Sequence, residues 1–481
     1  MAGDKSLNKG TLVMKFGGTS VGSQEAMSKA VQIVCNAKRE WNSVIVVTSA
    51  LTGVTDLLLE NAEQAAMGSL KGLSAAESSL RKMHLSIADA LITDPVILAK
   101  VKEEISALIS SFTALCQAIE VLGEATPRAL DAVASLGERL SVRLLSGAIS
   151  APSLPAEYVE ASELIITNSN FQNANPDFSS TTQQTHKILD PLLERGVVPV
   201  ITGFMGATAD GVITTLGRGG SDYSAAILAA VLPADDVWIW TDVDGVMTAD
   251  PRLVREARTI PEISYSEIAE LAYYGAKVVH PKTVRPVIDA GIGLRICNTF
   301  NPEHPGTRLV SNGHNGKKKM DRDKVIRAVT AIPRQQLVTI EGRGMLGVPG
   351  MAARAFAAVA STGTSVPLIT QASSEQSICF AVPSESSKAV LSALKNVFRH
   401  ELEERDIDRV WATEDVTIVT VVGAGLRSTP GVAGQIFSKL GNQDINVIAI
   451  AQGSSEVSIS LVIEPGATET AVRALHSLIV K

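Results

Sequence analysis

The chain has 481 residues, 45% of them hydrophobic and 19% charged, and a net charge of −7. That length and apolar content call for several domains with substantial cores and exclude a disordered or fibrous chain. The acidic balance argues against a sequence-independent grip on nucleic acid, and no long uncharged apolar run marks a membrane anchor, so neither partner is expected.

Residues 12–16 and 44–48 are short β-branched or apolar runs around a stretch of helical spacing at 24–40, which predicts a β-α-β opening. Lys15-Phe16-Gly17-Gly18-Thr19-Ser20 joins the first strand to that helix. A lysine, two bare glycines and two hydroxyls ahead of a helix suit a phosphate, although the same residues also make an ordinary turn capped by Thr19 or Ser20. The lysine precedes the glycines, so this is not a Walker loop.

Residues 56–150 read as long amphipathic helices, and strands are predicted at 197–201 and 237–241. Such alternation describes a parallel, helix-covered sheet. Between those strands lies Gly217-Arg218-Gly219-Gly220-Ser221-Asp222. Its glycines free the backbone, Arg218 offers a planar fork for a carboxylate or phosphate, and Ser221 and Asp222 lead into a helix. A solvated turn has no need of a guanidinium flanked by glycines. Thr241-Asp242-Val243-Asp244-Gly245 then stands at a strand's carboxyl end, where open α/β sheets bind ligands, with Arg252 further on. His280 ends an amphipathic helix and is assigned no chemistry.

Four cysteines, Cys35, Cys116, Cys297 and Cys379, lie far apart without metal-ligand spacing. Neither a disulfide framework nor a zinc site is expected, and a reducing, cytoplasmic compartment fits best. The first unit runs to about residue 310 and a polar linker follows at 311–324. Beyond it the chain matches itself at an offset of 81 residues, with Gly342 on Gly423, Pro349 on Pro430 and Gln371 on Gln452. Each copy reads strand, Gly-x-Gly loop, helix, strand, turn, strand and helix, a small α+β module present twice. The repetition, and Ser428 where a third glycine would stand, argue against a dinucleotide fingerprint at Gly423.

In order, the motifs at 15–20, at Gly137-Glu138-Arg139-Leu140, and at 217–222, 241–245 and 275–281 closely resemble those of aspartate kinases over nearly the whole chain. The resemblance implies an α/β fold: a three-layer αβα amino-acid-kinase domain with a mainly parallel sheet over residues 1–310, then two tandem ferredoxin-like (βαββαβ) ACT modules over 325–411 and 412–481. It implies transfer of the γ-phosphoryl group of ATP to the β-carboxylate of L-aspartate, the first step toward lysine, threonine, methionine and isoleucine. Because the acceptor carboxylate is already ionised at neutral pH, such a site must hold two anions in line and neutralise charge, with no general base.

By the same resemblance, Lys15 and Asp222 are the catalytic pair, Asp222 either orienting Lys15 or holding Mg²⁺ through water, and Ser49, Thr55, Glu138, Arg218 and Ser221 bind the substrate. Arg218 would take the α-carboxylate and Glu138 the α-ammonium. The nucleotide would meet Lys15, Gly17, Gly18, Thr19, Ser20, Thr241, Asp242, Met247, Arg252, Lys277 and Val278, with Met247 where many members carry tyrosine. Mg²⁺ would ride on the ATP phosphates with no direct protein ligand. Ile369, Gln371, Ile450 and Gln452 resemble the effector positions of the threonine-responsive branch, often fused to homoserine dehydrogenase. A chain ending at Lys481 reads as a monofunctional kinase, and ACT modules imply a homodimer or larger assembly. The competing readings are another amino-acid kinase of this fold and a non-catalytic amino-acid sensor.

Overall fold

The computed structural model describes residues 9–150, 154–275, 279, 281–310, 325–346, 348–371, 376–452 and 457–479. They fall into two compact units, one of Met1–Val246, Pro261–Tyr265 and Val279–Ser311, the other of Met247–Ile260, Ser266–Val278 and Asn312–Lys481.

The chain opens with β1 (Lys9–Phe16), α1 (Gly18–Val21), α2 (Gln24–Glu40) and β2 (Trp41–Thr48). Ser23 starts α2 by accepting a hydrogen bond from the Ala26 amide at 3.1 Å. Four helices follow: α3 (Val54–Ala66), α4 (Leu73–Leu91), α5 (Pro95–Leu122) and α6 (Pro127–Ser150). By length and composition α5 is apolar enough to cross a membrane. Its apolar stripe of Val101, Ile105, Ile109, Phe112 and Cys116 instead joins the core shared with α4 and α6.

Next come β3 (Ala156–Val159), β4 (Ile166–Thr167), α7 (Phe178–Glu194), β5 (Val198–Thr202), β6 (Met205–Thr208), β7 (Ile213–Thr215), α8 (Gly220–Val231) and β8 (Asp236–Thr241). The run closes with β9 (Glu262–Ser264), α9 (Tyr265–Tyr273), α10 (Pro281–Asp289), β10 (Gly293–Asn298) and β11 (Thr307–Val310). Eight strands form one sheet in the order β3-β5-β2-β1-β8-β10-β11-β9, parallel at every pairing except β10 with β11. Leu12, Met14 and Phe16 of β1 enter the helical core while Val13, pointing the other way, is equally buried. Both faces are therefore covered, as a parallel sheet requires.

In the second unit β12 (Ala328–Glu341) is followed by α11 (Met351–Ser361), β13 (Leu368–Gln371), β14 (Ser377–Pro383), α12 (Ser387–Val397), α13 (Arg399–Glu403) and β15 (Arg409–Ala412). Then come β16 (Val416–Val422), α14 (Val432–Gly441), β17 (Ala449–Ala451), β18 (Ser458–Ile463) and α15 (Thr468–His476). The starts of α14, β17, β18 and α15 each fall 81 residues after those of α11, β13, β14 and α12, so the sequence repeat is a repeat of structure.

The two modules share a strand. The second half of β12 pairs with β14 and β15, and its first half pairs antiparallel with β16, Ala328 opposite Val422. That first half takes, beside β16, the place β15 takes in the first module. Segment 247–260 also belongs to this unit, burying Ala249 and Val254 among Val419, Val421 and Leu426.

Candidate active site

Parallel strands bring their carboxyl ends to one edge, and β1, β2, β5 and β8 all end at that edge of the large sheet. Lys15 comes from the end of β1, Ser49 from just beyond β2, and Phe204 from just beyond β5. With Thr55 of α3, Glu138 of α6 and the Gly217-to-Asp222 loop they line a cavity of about 260 Å³. Both residues expected to be catalytic and every residue expected to hold the substrate are in that lining.

Lys15, only 8% exposed, sets its Nζ 2.5 Å from Oδ1 of Asp222, which stands in the first turn of α8. A Cβ on Gly17 would stand 3.5 Å from that Nζ, so glycine keeps the space beside the ammonium open. An ammonium, open space and a helix N-terminus fit a phosphoryl group.

Glu138 lines the same cavity and is 4% exposed. Its Oε1 accepts from the Ala50 amide at 3.3 Å, and its Oε2 is buried without a partner among the described residues. Burial pushes its carboxyl up to about 8, against the Ala50 amide and the charge of Lys15, which pull it down. An unmatched buried carboxylate oxygen is a receptor for a cationic group. Arg218 is exposed at the mouth of the cavity, with no hydrogen bond or ion pair among the described residues. Its neighbours Gly217 and Gly219 have φ of 79° and 73°, a backbone that side-chain-bearing residues resist.

The residues expected to meet the nucleotide fall in both units. Ser20 is fully buried, its hydroxyl donating to the Trp240 carbonyl at 3.2 Å and accepting from Thr299 at 2.7 Å. The Gly17 amide also donates to Trp240, at 3.1 Å, while Gly18 opens α1 and Thr19 is exposed. Thr241 donates its hydroxyl to Asp242 at 3.2 Å beyond β8. Met247 and Arg252 belong to the second unit, where Arg252 is clamped on Asp250, Nη2 to Oδ2 at 2.6 Å, with its side chain 83% exposed. Lys277 and Val278 lie outside the described residues, as does His280. Of the effector positions, Ile369 and Gln371 lie on β13, Ile450 on β17 and Gln452 just after it, all exposed on the edge strands.

Sequence reasoning did not find Phe204 or Asp131. Phe204 lines the cavity in a left-handed conformation, φ 67°, for which the sequence carries no signal. Asp131 is a buried carboxylate on α6, seven residues before Glu138 and on the same helical face.

An α/β sheet whose strand ends gather a lysine, an aspartate, a buried glutamate and an arginine defines a small-molecule phosphotransferase architecture. The amino acid kinase family profile matches residues 10–298, and an ACT-domain profile matches 338–398 and 419–478. The chain is 36% identical over 466 residues to a bifunctional aspartokinase/homoserine dehydrogenase 2 of Arabidopsis thaliana, covering 97% of this chain and 50% of the relative. It thus spans about half the length of that relative. To aspartokinase 1 of the same plant it is 32% identical over 476 residues, covering 97% of this chain and 79% of the relative. Escherichia coli aspartokinase III in complex with aspartate and ADP superposes with a TM-score of 0.80 at 31% identity, covering 98% of this chain and all of that one. The same enzyme with lysine and aspartate gives 0.77 at 30%, covering 98% of this chain and all of that one. The chain belongs to the amino acid kinase family, among the aspartokinases.

Proposed function

We propose that this protein is an aspartate kinase, transferring the γ-phosphoryl group of ATP to the β-carboxylate of L-aspartate to give 4-phospho-L-aspartate and ADP. One observation carries the reading: a single cavity holds Arg218 and Glu138, two handles of opposite charge, together with the Lys15–Asp222 pair. An α-amino acid offers a carboxylate to the first and an ammonium to the second. Its side-chain carboxylate is then left for Lys15, which neutralises charge as it builds on the transferring group. Asp222 holds the lysine ammonium in line. Phe204 and Glu138 of α6 line the cavity beside the acceptor carboxylate. Bound ATP with Mg²⁺ supplies the activated phosphoryl group, the metal riding on the phosphates. The similar Escherichia coli protein was crystallised with aspartate and ADP, which supports this reading.

We further assign feedback inhibition to the ACT modules with threonine as effector, on the paired glutamines Gln371 and Gln452. The protein is taken to be cytoplasmic and homo-oligomeric, acting at the head of lysine, threonine, methionine and isoleucine formation. ADP release measured with aspartate, glutamate and carbamate as acceptors tests the reaction: no preference for aspartate overturns it in favour of another amino-acid kinase. Threonine binding without turnover would mark a sensor. Adding threonine, lysine and methionine separately tests the effector, and inhibition by lysine alone, the ligand of the second Escherichia coli complex, overturns threonine.

A further inference from the structure

One face of α6 ties down three loops. Glu138 accepts from the Ala50 amide, and Ser141 shares a 3.1 Å hydrogen bond with Thr48 at the end of β2. About two turns earlier on that face, Asp131 is a carboxylate only 1% exposed. Its Oδ1 accepts from the Thr215 hydroxyl at 2.7 Å, and its Oδ2 accepts from the Thr215 amide at 2.9 Å. The Gln172 amide donates to both oxygens, at 3.1 and 3.0 Å.

Burying a carboxylate is costly and persists only when such donors surround it. Here every donor belongs to one of two backbone segments. The first is the turn at 168–176, closed by Asn168, whose Oδ1 accepts from the amides of Asn170 at 3.2 Å and Asn175 at 3.1 Å. The second is the end of β7, from which the chain enters the glycine-rich loop. The two are laced together, the Ala174 amide donating to the Thr215 carbonyl at 2.9 Å. Gly217 rests on the turn so closely that a Cβ there would stand 3.0 Å from the Gln172 carbonyl oxygen. Arg218 is the next residue. Its side chain has no partner among the described residues, so the only anchor this loop gives the guanidinium is the position of the Arg218 backbone.

We propose that Asp131 is a positioning residue: by fastening the turn at Gln172 and the strand end at Thr215 to α6, it fixes the separation of the Arg218 backbone from Glu138 on the same helix. That separation selects a ligand held at once by an α-carboxylate and an α-ammonium. The inference rests on the reading of Arg218 and Glu138 as the amino-acid handles.

Three substitutions in the full chain test it. Asp131→Asn keeps an oxygen for the Thr215 and Gln172 amides and turns its NH₂ toward the Thr215 hydroxyl. Its aspartate KM is expected to stay within about threefold of wild type. Asp131→Ala removes every acceptor and is expected to raise the aspartate KM by about tenfold or more, leaving the ATP KM within about twofold. Hydrogen exchange of the amides at 215–221 is expected to speed up by about tenfold in Asp131→Ala alone. An unchanged aspartate KM with unchanged protection in folded Asp131→Ala overturns the proposal. So does an equal rise in both KM values, which marks a scaffold role, or an Asp131→Asn variant as impaired as alanine, which marks a need for the charge. Should Asp131→Ala not fold, Thr215→Val, which removes one of the donors, carries the test. It is expected to raise the aspartate KM by about twofold to fivefold, and no change overturns the proposal. If the wild-type chain does not phosphorylate aspartate, the exchange experiment still decides the role of Asp131, and only the functional reading falls.

Discussion

On the acceptor side of the candidate site, Lys15, Glu138, Arg218 and Asp222 converge on one cavity within one compact unit. Of the residues expected to meet the nucleotide, Ser20 is clasped into the core, the Gly17 amide is bonded to Trp240, and Met247 and Arg252 belong to the second unit. The contrast teaches that strand ends and α6 of one unit gather the cavity residues, whereas the residues expected to meet the nucleotide are each bonded within their own segment.

The comparison breaks most sharply at Lys15. Lys15→Met is expected to lower turnover by about a thousandfold or more while leaving the melting curve close to wild type, and near-normal turnover in a folded variant removes Lys15 from the chemistry. Next is Glu138→Gln, expected to raise the aspartate KM by about thirtyfold with little change in the ATP KM. The glutamate also gives the acceptor side a pH signature. With the empty-site carboxyl near 8, binding an ammonium below that pH expels a proton, so the aspartate KM falls as pH rises toward 8 and then levels. In Glu138→Gln that slope disappears. The sign for stability is opposite. The folded carboxyl holds its proton from its ordinary 4.5 up to about 8 while the unfolded one has lost it, so the group makes the ligand-free protein less stable as pH climbs through that window. The melting temperature of Glu138→Gln relative to wild type should therefore grow across it.

Smaller effects sharpen the other side. Gln371→Ala or Gln452→Ala is expected to raise the threonine needed for half inhibition by about threefold to tenfold, with uninhibited turnover unchanged. Arg252→Ala is expected to change the ATP KM by less than about threefold, because an exposed guanidinium spread over Asp250 is worth little. A tenfold rise would bring Arg252 to the nucleotide and erase part of the contrast.

Much of this was legible because the signals are local. The β-α-β opening rests on apolar periodicity, and the structure returns α2 at the predicted residues 24–40. The internal repeat survives as an element-by-element offset, since each module buries its own core in the same pattern. Apart from Phe204, the residues that line the cavity could be named from their resemblance to the motifs of aspartate kinases. The sharing of β12 could not be read, because a fourteen-residue strand looks the same whether it serves one module or two. Nor could the docking of 247–260 beside the second module, where His476 meets the Thr248 hydroxyl at 2.8 Å across a long gap in sequence. Asp131 was invisible for a related reason: an aspartate inside a helix reads as a solvent-facing residue until its partners arrive from β7 and the 168–176 turn.

The shared strand makes the two modules poor candidates for separate cloning or exchange. A fragment beginning at residue 412 would present β16 with a bare edge where Ala328 to Ile332 should lie, an invitation to pair with another chain. Any chimera that swaps the second module must carry residues 325–332 with it, although the whole of the first module intervenes.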